Sequence, residues 1–324
     1  MNLELIQPLG LSFFLSLLGL LFYRNGVLKG GYSLRNWING DSAGSKNSIV
    51  TGAGILLLGV LYCWTSLDTI VLMVIGCMIA IGFIDDGFKL SVRFRLVAYA
   101  MGVFMVIFSM GATQNVVWWF LPVIFLLYLG FVNAVNFMDG INGLVPLQGI
   151  VTLLGMLLSD RWVDSSTDML VLLGWLIAFA CFNLRNRSAL FLGDAGSIGL
   201  GFILFRLVLP KLMSGDFGVL MFFVVMGVDV VWVLCMRLYR RENIFERHEK
   251  HLYQKLVLLK FYSPVAVSVG YAIVQFGIII LGESLHENGH GSEVFLGLIL
   301  MLLFLAVIMM HRWIDESVGR ERRG

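Results

Sequence analysis

Residues 68–89 read DTIVLMVIGCMIAIGFIDDGFK. After Asp68 the run is uncharged as far as Ile84, near the length that crosses the hydrocarbon core of a bilayer. It ends on two adjacent carboxylates, Asp85 and Asp86, with Lys89 one helical turn beyond Asp85. Working outward, similar apolar runs lie near 6–22, 49–65, 96–112, 116–136, 144–158, 168–183, 197–213, 217–236, 264–281 and 294–311. Composition agrees: 59% of the 324 residues are hydrophobic and 14% charged, where a soluble domain carries about 25% charged residues. The sequence therefore predicts an all-α polytopic membrane protein of about eleven transmembrane helices, forming a single domain over 1–324. The first run lacks a basic segment before it and a small-residue cleavage site after it, so it reads as a retained span. All four cysteines fall in apolar runs and form no disulfide or metal pattern.

The charges decide orientation. The segments 23–48, 85–95, 184–196, 237–263 and the tail from His311 together hold 20 of the 23 Lys and Arg residues. The positive-inside rule places that set in the cytoplasm, with the N-terminus outside and the C-terminus inside.

The unusual polar clusters share the predicted cytoplasmic side. Asp85 and Asp86 repel one another unless a cation or proton relieves them; the plainer reading is a helix end with an Asp85–Lys89 pair. Asn133, Asn136 and Asp139, three apart, share one helical face, and Gly140-Ile141-Asn142-Gly143 then lets the chain turn. Interhelical hydrogen bonding is the alternative there. Phe191-Leu192-Gly193-Asp194-Ala195-Gly196-Ser197 offers a glycine-rich turn into a helix N-terminus, an anion site with a hard oxygen ligand in Asp194; a simple cap would also explain it. The loop from Arg237 to Lys260 is the most basic and reads either as a contact to anionic headgroups or as part of a site. Its His248 and His251 are spaced i,i+3, against the i,i+4 of zinc proteases. Acidic groups, basic groups and an anion nest on one face fit phosphate chemistry with a divalent cation.

DDGFK (85–89), NAVNFMDGINGL (133–144) and FLGDAGS (191–197), in this order, resemble the polyprenyl-phosphate N-acetylhexosamine-1-phosphate transferases, which include the phospho-MurNAc-pentapeptide translocase. The resemblance runs from about Gly52 to Lys255 and takes in Asp229. RHEKHLYQKL (247–256) is similar to the loop of members that start O-antigen or capsule repeats. The resemblance implies transfer of a sugar-1-phosphate from a UDP-N-acetylhexosamine to undecaprenyl phosphate, with release of UMP. It implies Mg²⁺ (or Mn²⁺) on Asp194, acceptor chemistry at Asp85 and Asp86, and a nucleotide-sugar pocket lined by Asn133, Asn136 and Asp139, of which Asp139 counts with the catalytic set. Lys89, Asn142, Asn183, Phe191, His248 and His251 complete the substrate contacts, Phe191 by stacking near the uracil. Many relatives have aspartate in place of Asn142, and an arginine in the stretch that here reads SIVTGAG (48–54).

The partners so implied are the two substrates and membrane lipids, with no nucleic acid; a homodimer is left open. The resemblance also implies a bacterial inner membrane. A transporter or flippase is the main rival, and a catalytically degenerate relative a third reading. Transporters hold their polar groups near the midplane, whereas here only Arg206 and Asp229 lie well inside runs.

Overall fold

The computed structural model describes residues 3–30, 50–62, 68–111, 118–243, 249–260, 262–287 and 291–321. Among them every regular element is helical. The helices are α1 (Leu3–Gly30), α2 (Leu57–Tyr62, entered through a 3₁₀ turn at Ala53–Leu56), α3 (Thr69–Phe88) and α4 (Val92–Gly111). They continue with α5 (Leu121–Met138), α6 (Leu144–Leu157), α7 (Ser166–Asn183) and α8 (Gly193–Met213). Last come α9 (Val224–Tyr239), α10 (Leu252–Lys260), α11 (Pro264–Glu287) and α12 (Ser292–Glu321).

Among the described residues nine helices are long and apolar enough to cross a membrane. They match nine of the eleven expected runs, and the other two differ among the described residues. The run near 144–158 becomes α6, of 14 residues, only about 21 Å at the α-helical rise, short of the roughly 30 Å hydrocarbon core. It is trimmed at its start by the left-handed Gly143 (φ 88°). At its other end the chain turns into a 3₁₀ helix at Asp160–Ser165, capped by Ser159 Oγ accepting from the Arg161 N–H. The run near 49–65 is represented by the 3₁₀ turn and α2, and residues 63–67 lie outside the described set.

The core is built around α8, the most buried of the nine. It packs against α3 and α5, and its early turns are walled by the segment 50–54. That segment runs alongside 191–192: the Phe191 N–H donates to Val50 O (2.8 Å) and the Gly54 N–H to Leu192 O (3.0 Å). The approach is so close that a Cβ on Gly54 would lie 2.1 Å from Gly196 Cα. Small residues permit such backbone contact, the usual means of joining helices where lipid offers no hydrophobic drive. α1 lies against α7, where Ser12 Oγ donates to Val171 O (2.6 Å).

The other faces of α1, α4 and α12 are uncovered and apolar. Phe22 is 76% exposed, Phe108 71% and Met309 68%. An aqueous protein rarely tolerates patches of that extent, whereas acyl chains are their natural solvent. The molecule is a multi-pass membrane protein.

Candidate active site

Three helices deliver the acidic residues to one place. The last turn of α3 supplies Asp85 and Asp86, the C-terminus of α5 supplies Asn133, Asn136 and Asp139, and the first turn of α8 supplies Asp194. They meet because α8 packs on both of the others.

Asp85 is 6% exposed. One of its oxygens accepts from the Leu90 N–H and the other from Arg95 Nη1 at 2.6 Å. The same guanidinium nitrogen reaches Asp194 Oδ2 at 3.3 Å, so Arg95 bridges two of the carboxylates. Asp194 Oδ1 accepts from Asn136 Nδ2 (3.1 Å), which also faces Ser197 Oγ (3.3 Å). Asn136 therefore links α5 to α8. Asn133 donates one turn back to Leu129 O (2.8 Å).

Asp86 has a different task. Its two oxygens accept from the Asp194 N–H (2.9 Å) and the Ala195 N–H (3.3 Å), capping α8 from another helix. Carboxylates suit helix N-termini because they satisfy orphan donors and the positive dipole end. Gly193 makes this possible: its φ is +73°, and a Cβ there would sit 2.4 Å from Asp86 Oδ2. This corrects the sequence expectation of a free anion nest at Gly193–Ser197. Two of those N–H groups, of Asp194 and Ala195, already hold the side chain of Asp86.

Asp139 follows α5 as its C-cap, with its N–H donating to Asn136 O (3.3 Å). Burial, with Asp194 and Asp86 close by, pushes its carboxyl well above the usual carboxylate range. Were all four carboxylates ionised, with Arg95 the one cation paired to them among the described residues, the cluster would carry three negative charges in excess. Like charges so placed call for a cation or for protons.

The remaining predicted residues sort into those that build the walls and those at the rim. Asn183 is 4% exposed. Its oxygen accepts from the Gly143 N–H (2.7 Å) and its nitrogen donates to Leu190 O (2.9 Å) and faces Ser188 Oγ (3.2 Å). Both ends of its amide are thus used inside the protein, latching the α5–α6 turn to the loop before α8. Asn142 donates to Arg185 O (2.7 Å) and lies near Asn186 O (3.4 Å). A carboxylate cannot donate, so these contacts need the amide that stands at this position. Phe191 is half-buried, its backbone held by Val50 on one side and Ala53 on the other. Lys89 is the exposed C-cap of α3, with φ 50°.

His251 is buried, its Nδ1 3.4 Å from Asp229 Oδ1 and its ring 5.7 Å from that of Tyr253. Asp229 also accepts from the Leu252 N–H (3.0 Å) and from Tyr271 Oη (2.8 Å). Tyr253 Oη donates to Phe137 O (2.7 Å), pinning this segment to the end of α5. His248 lies outside the described residues.

Arg95 is the residue that sequence reading missed. It counted only as one of the charges that set orientation; its place in the first turn of α4, ten residues after Asp85 and just before the apolar run, was the available signal.

A divalent hard cation fits this donor set of carboxylate and amide oxygens. Among the described residues no three His, Cys, Asp or Glu side chains converge as a metal cage. Mg²⁺ in general takes one or two protein carboxylates and fills its shell with water and substrate phosphate oxygens.

Comparison with known families finds a match to the Glycosyl transferase family 4 model over residues 69–210. No curated protein matches the chain. The matched span is under half of the chain, but it contains Asp85, Asp86, Arg95, Asn136, Asp139 and Asp194. It supports a sugar-phosphate transferase that uses a polyprenyl phosphate and a nucleotide sugar.

Proposed function

We propose that this protein transfers an N-acetylhexosamine-1-phosphate from a UDP-sugar to undecaprenyl phosphate, releasing UMP and starting a surface polysaccharide such as O-antigen or capsule. An oxygen of the acceptor phosphate attacks the β-phosphorus of the donor. The bond from that phosphorus to the bridging oxygen breaks, UMP leaves, and the sugar ends on a lipid diphosphate. The observation that carries this reading is the acidic cluster at the meeting of α3, α5 and α8, where four carboxyl groups crowd together with Arg95 the one cation paired to them among the described residues.

Asp194 and Asp85 are the residues to hold Mg²⁺, or Mn²⁺ in its place. When bound, the ion neutralises the transferring diphosphate. Arg95 keeps those two carboxylates a fixed distance apart, and Asn136 fixes the rotamer of Asp194. Asp86 acts by holding α8 in register, so its effect on the acceptor is exerted through Asp194. Asp139, with its raised affinity for a proton, is suited to take one from the acceptor phosphate. Lys89, Phe191, His248 and His251 lie on the segments that would receive the nucleotide sugar, and Asn142 and Asn183 hold the walls. The site faces the cytoplasm of a bacterial inner membrane in this reading, with the N-terminus periplasmic.

The donor is inferred from the loop 247–256, which resembles that of enzymes using 6-deoxy sugars such as FucNAc or QuiNAc. A pocket that packs a methyl group rejects a hydroxyl weakly, by roughly 1–3 kcal/mol. Purified protein given undecaprenyl phosphate, Mg²⁺ and competing UDP-sugars is expected to release UMP fastest from the 6-deoxy donors. A tenfold preference for UDP-GlcNAc would remove the donor assignment. Absence of UMP release from every donor would remove the reaction.

A further inference from the structure

The same end of the bundle carries a second polar recess that shares no residue with the acidic cluster. It is a cleft of about 190 Å³ between α9, α10 and α12. Arg237, Arg240, Lys250 and Lys255 line it, against the two carboxylates Glu242 and Asp315. Arg237 and Lys250 both meet Glu242, and Lys255 meets Asp315 at 2.6 Å. Arg240 has no counter-ion among the described residues. The cleft is therefore cationic after its internal pairs are formed.

A second observation comes from its wall. His311 is 5% exposed, yet its Nε2 has no hydrogen-bond partner among the described residues. Trp232 Nε1, whose ring lies 6.1 Å from that of His311, is likewise buried and unpaired. The indole N–H can only donate, and a histidine Nε2 can donate in the matching tautomer. Buried donors are rarely left without an acceptor in native proteins. Two orphaned nitrogens beside an unpaired guanidinium call for an anion with several acceptor oxygens, which is the description of a phosphate.

The surroundings say where that phosphate comes from. The stretch Phe217–Tyr239, which ends in α9, and α12 are both of membrane-crossing length, and beside the cleft they leave Leu238, Met309 and Trp313 exposed. Met236 and Val233 continue its wall as apolar surface. A basic pocket at the end of apolar helices, with a tryptophan at its rim, matches the headgroup level of a bilayer. We infer that the cleft between α9, α10 and α12 seats the phosphate headgroup of an anionic phospholipid, with the acyl chains lying along the exposed faces of α9 and α12. Lys250 precedes His251, so an occupied cleft also steadies the segment that Tyr253 pins to α5.

This inference is independent of the transferase reading, because its test involves binding alone. Native mass spectrometry of the detergent-purified chain would follow retention of dioleoyl-phosphatidylglycerol, dioleoyl-phosphatidylcholine and inorganic phosphate. One phosphatidylglycerol per chain is expected to bind at least about fivefold more tightly than phosphatidylcholine, and inorganic phosphate is expected not to displace it. Arg240→Gln is expected to weaken phosphatidylglycerol binding roughly fivefold, the effect of one cation near a headgroup. His311→Phe is expected to weaken it as well. Arg240 is exposed, so its variant carries the test even where His311→Phe disturbs folding. Equal retention of the two lipids, or unchanged binding in Arg240→Gln, would overturn the inference. Inorganic phosphate binding as tightly as the lipid, with the same sensitivity to Arg240→Gln, would overturn its lipid part.

Discussion

The two ends of the bundle each hold an arginine between two carboxylates, and they differ in what surrounds that trio. At the far end, Arg161 pairs with Asp216 and with Glu283 (2.8 Å), joining the 3₁₀ turn at 160–165, the turn after α8 and the end of α11. Its side chain is 11% exposed and rests near the Trp162 ring. At the other end Arg95 joins Asp85 and Asp194, but Asp86 and Asp139 add two more carboxyl groups to the same neighbourhood. The first trio comes close to balance and acts as a clip. The second is far from balance. A protein gains nothing in stability from concentrating carboxylates, and the proposed function takes the crowding at this end, among the described residues, as the place where a cation and phosphate substrates would bind.

This comparison can be broken in order of expected effect. Asp194→Asn keeps shape and removes the charge proposed to hold Mg²⁺. Turnover should fall by 10²-fold or more, corresponding to roughly 3 kcal/mol of transition-state stabilisation, with the thermal unfolding midpoint close to that of the parent. Near-normal rates at saturating Mg²⁺ would reduce Asp194 to a helix-end residue. Next comes the same substitution made at the two arginines. Arg161→Gln leaves two largely buried carboxylates without their partner, at a cost of about 2–4 kcal/mol. A lowered unfolding midpoint with unchanged activity per folded molecule is the expected result. Arg95→Gln should act in the opposite sense, with turnover down roughly tenfold, or about 1.4 kcal/mol in the barrier. Stability should be little changed, because the surplus charge can be met by added Mg²⁺, and half-saturation should need less Mg²⁺ than in the parent. Matching outcomes for the two arginine variants would mean that both trios are merely structural.

Much of the inner site was legible because its residues obey helical spacing. Asn136 and Asp139 lie on one face of α5, and the doubled aspartate ends α3 where the apolar run stops. What the sequence could not display was partnership across helices. Asp86 looks equivalent to Asp85 in the chain, yet packing of α3 on α8 turns it onto the N–H groups of Asp194 and Ala195. Asn142 and Asn183 read as polar pocket residues, and their amides are engaged between loops that are 40 or more residues apart in sequence. Arg95 was hidden by its neighbours Lys89 and Arg93, which share its charge but not its geometry. Asp229 was visible as an acid within a span; its work, holding Leu252 and Tyr271, follows from the return of α10 and α11 against α9. The run near 144–158 is shorter as a helix for a related reason: hydropathy counts apolar length, whereas Gly143 and Ser159 set where α6 begins and ends.

The central claim concerns which bond the protein breaks. A donor carrying ³²P in the β-phosphate of the UDP-sugar separates the possibilities, because that phosphorus either travels with the sugar or stays with the nucleotide. Incubation with undecaprenyl phosphate and Mg²⁺ should place the label in the lipid fraction, mole for mole with unlabelled UMP, and Asp194→Asn should abolish the transfer. Label retained in UDP while the sugar alone moves to lipid, or no labelled lipid at all, would contradict the account.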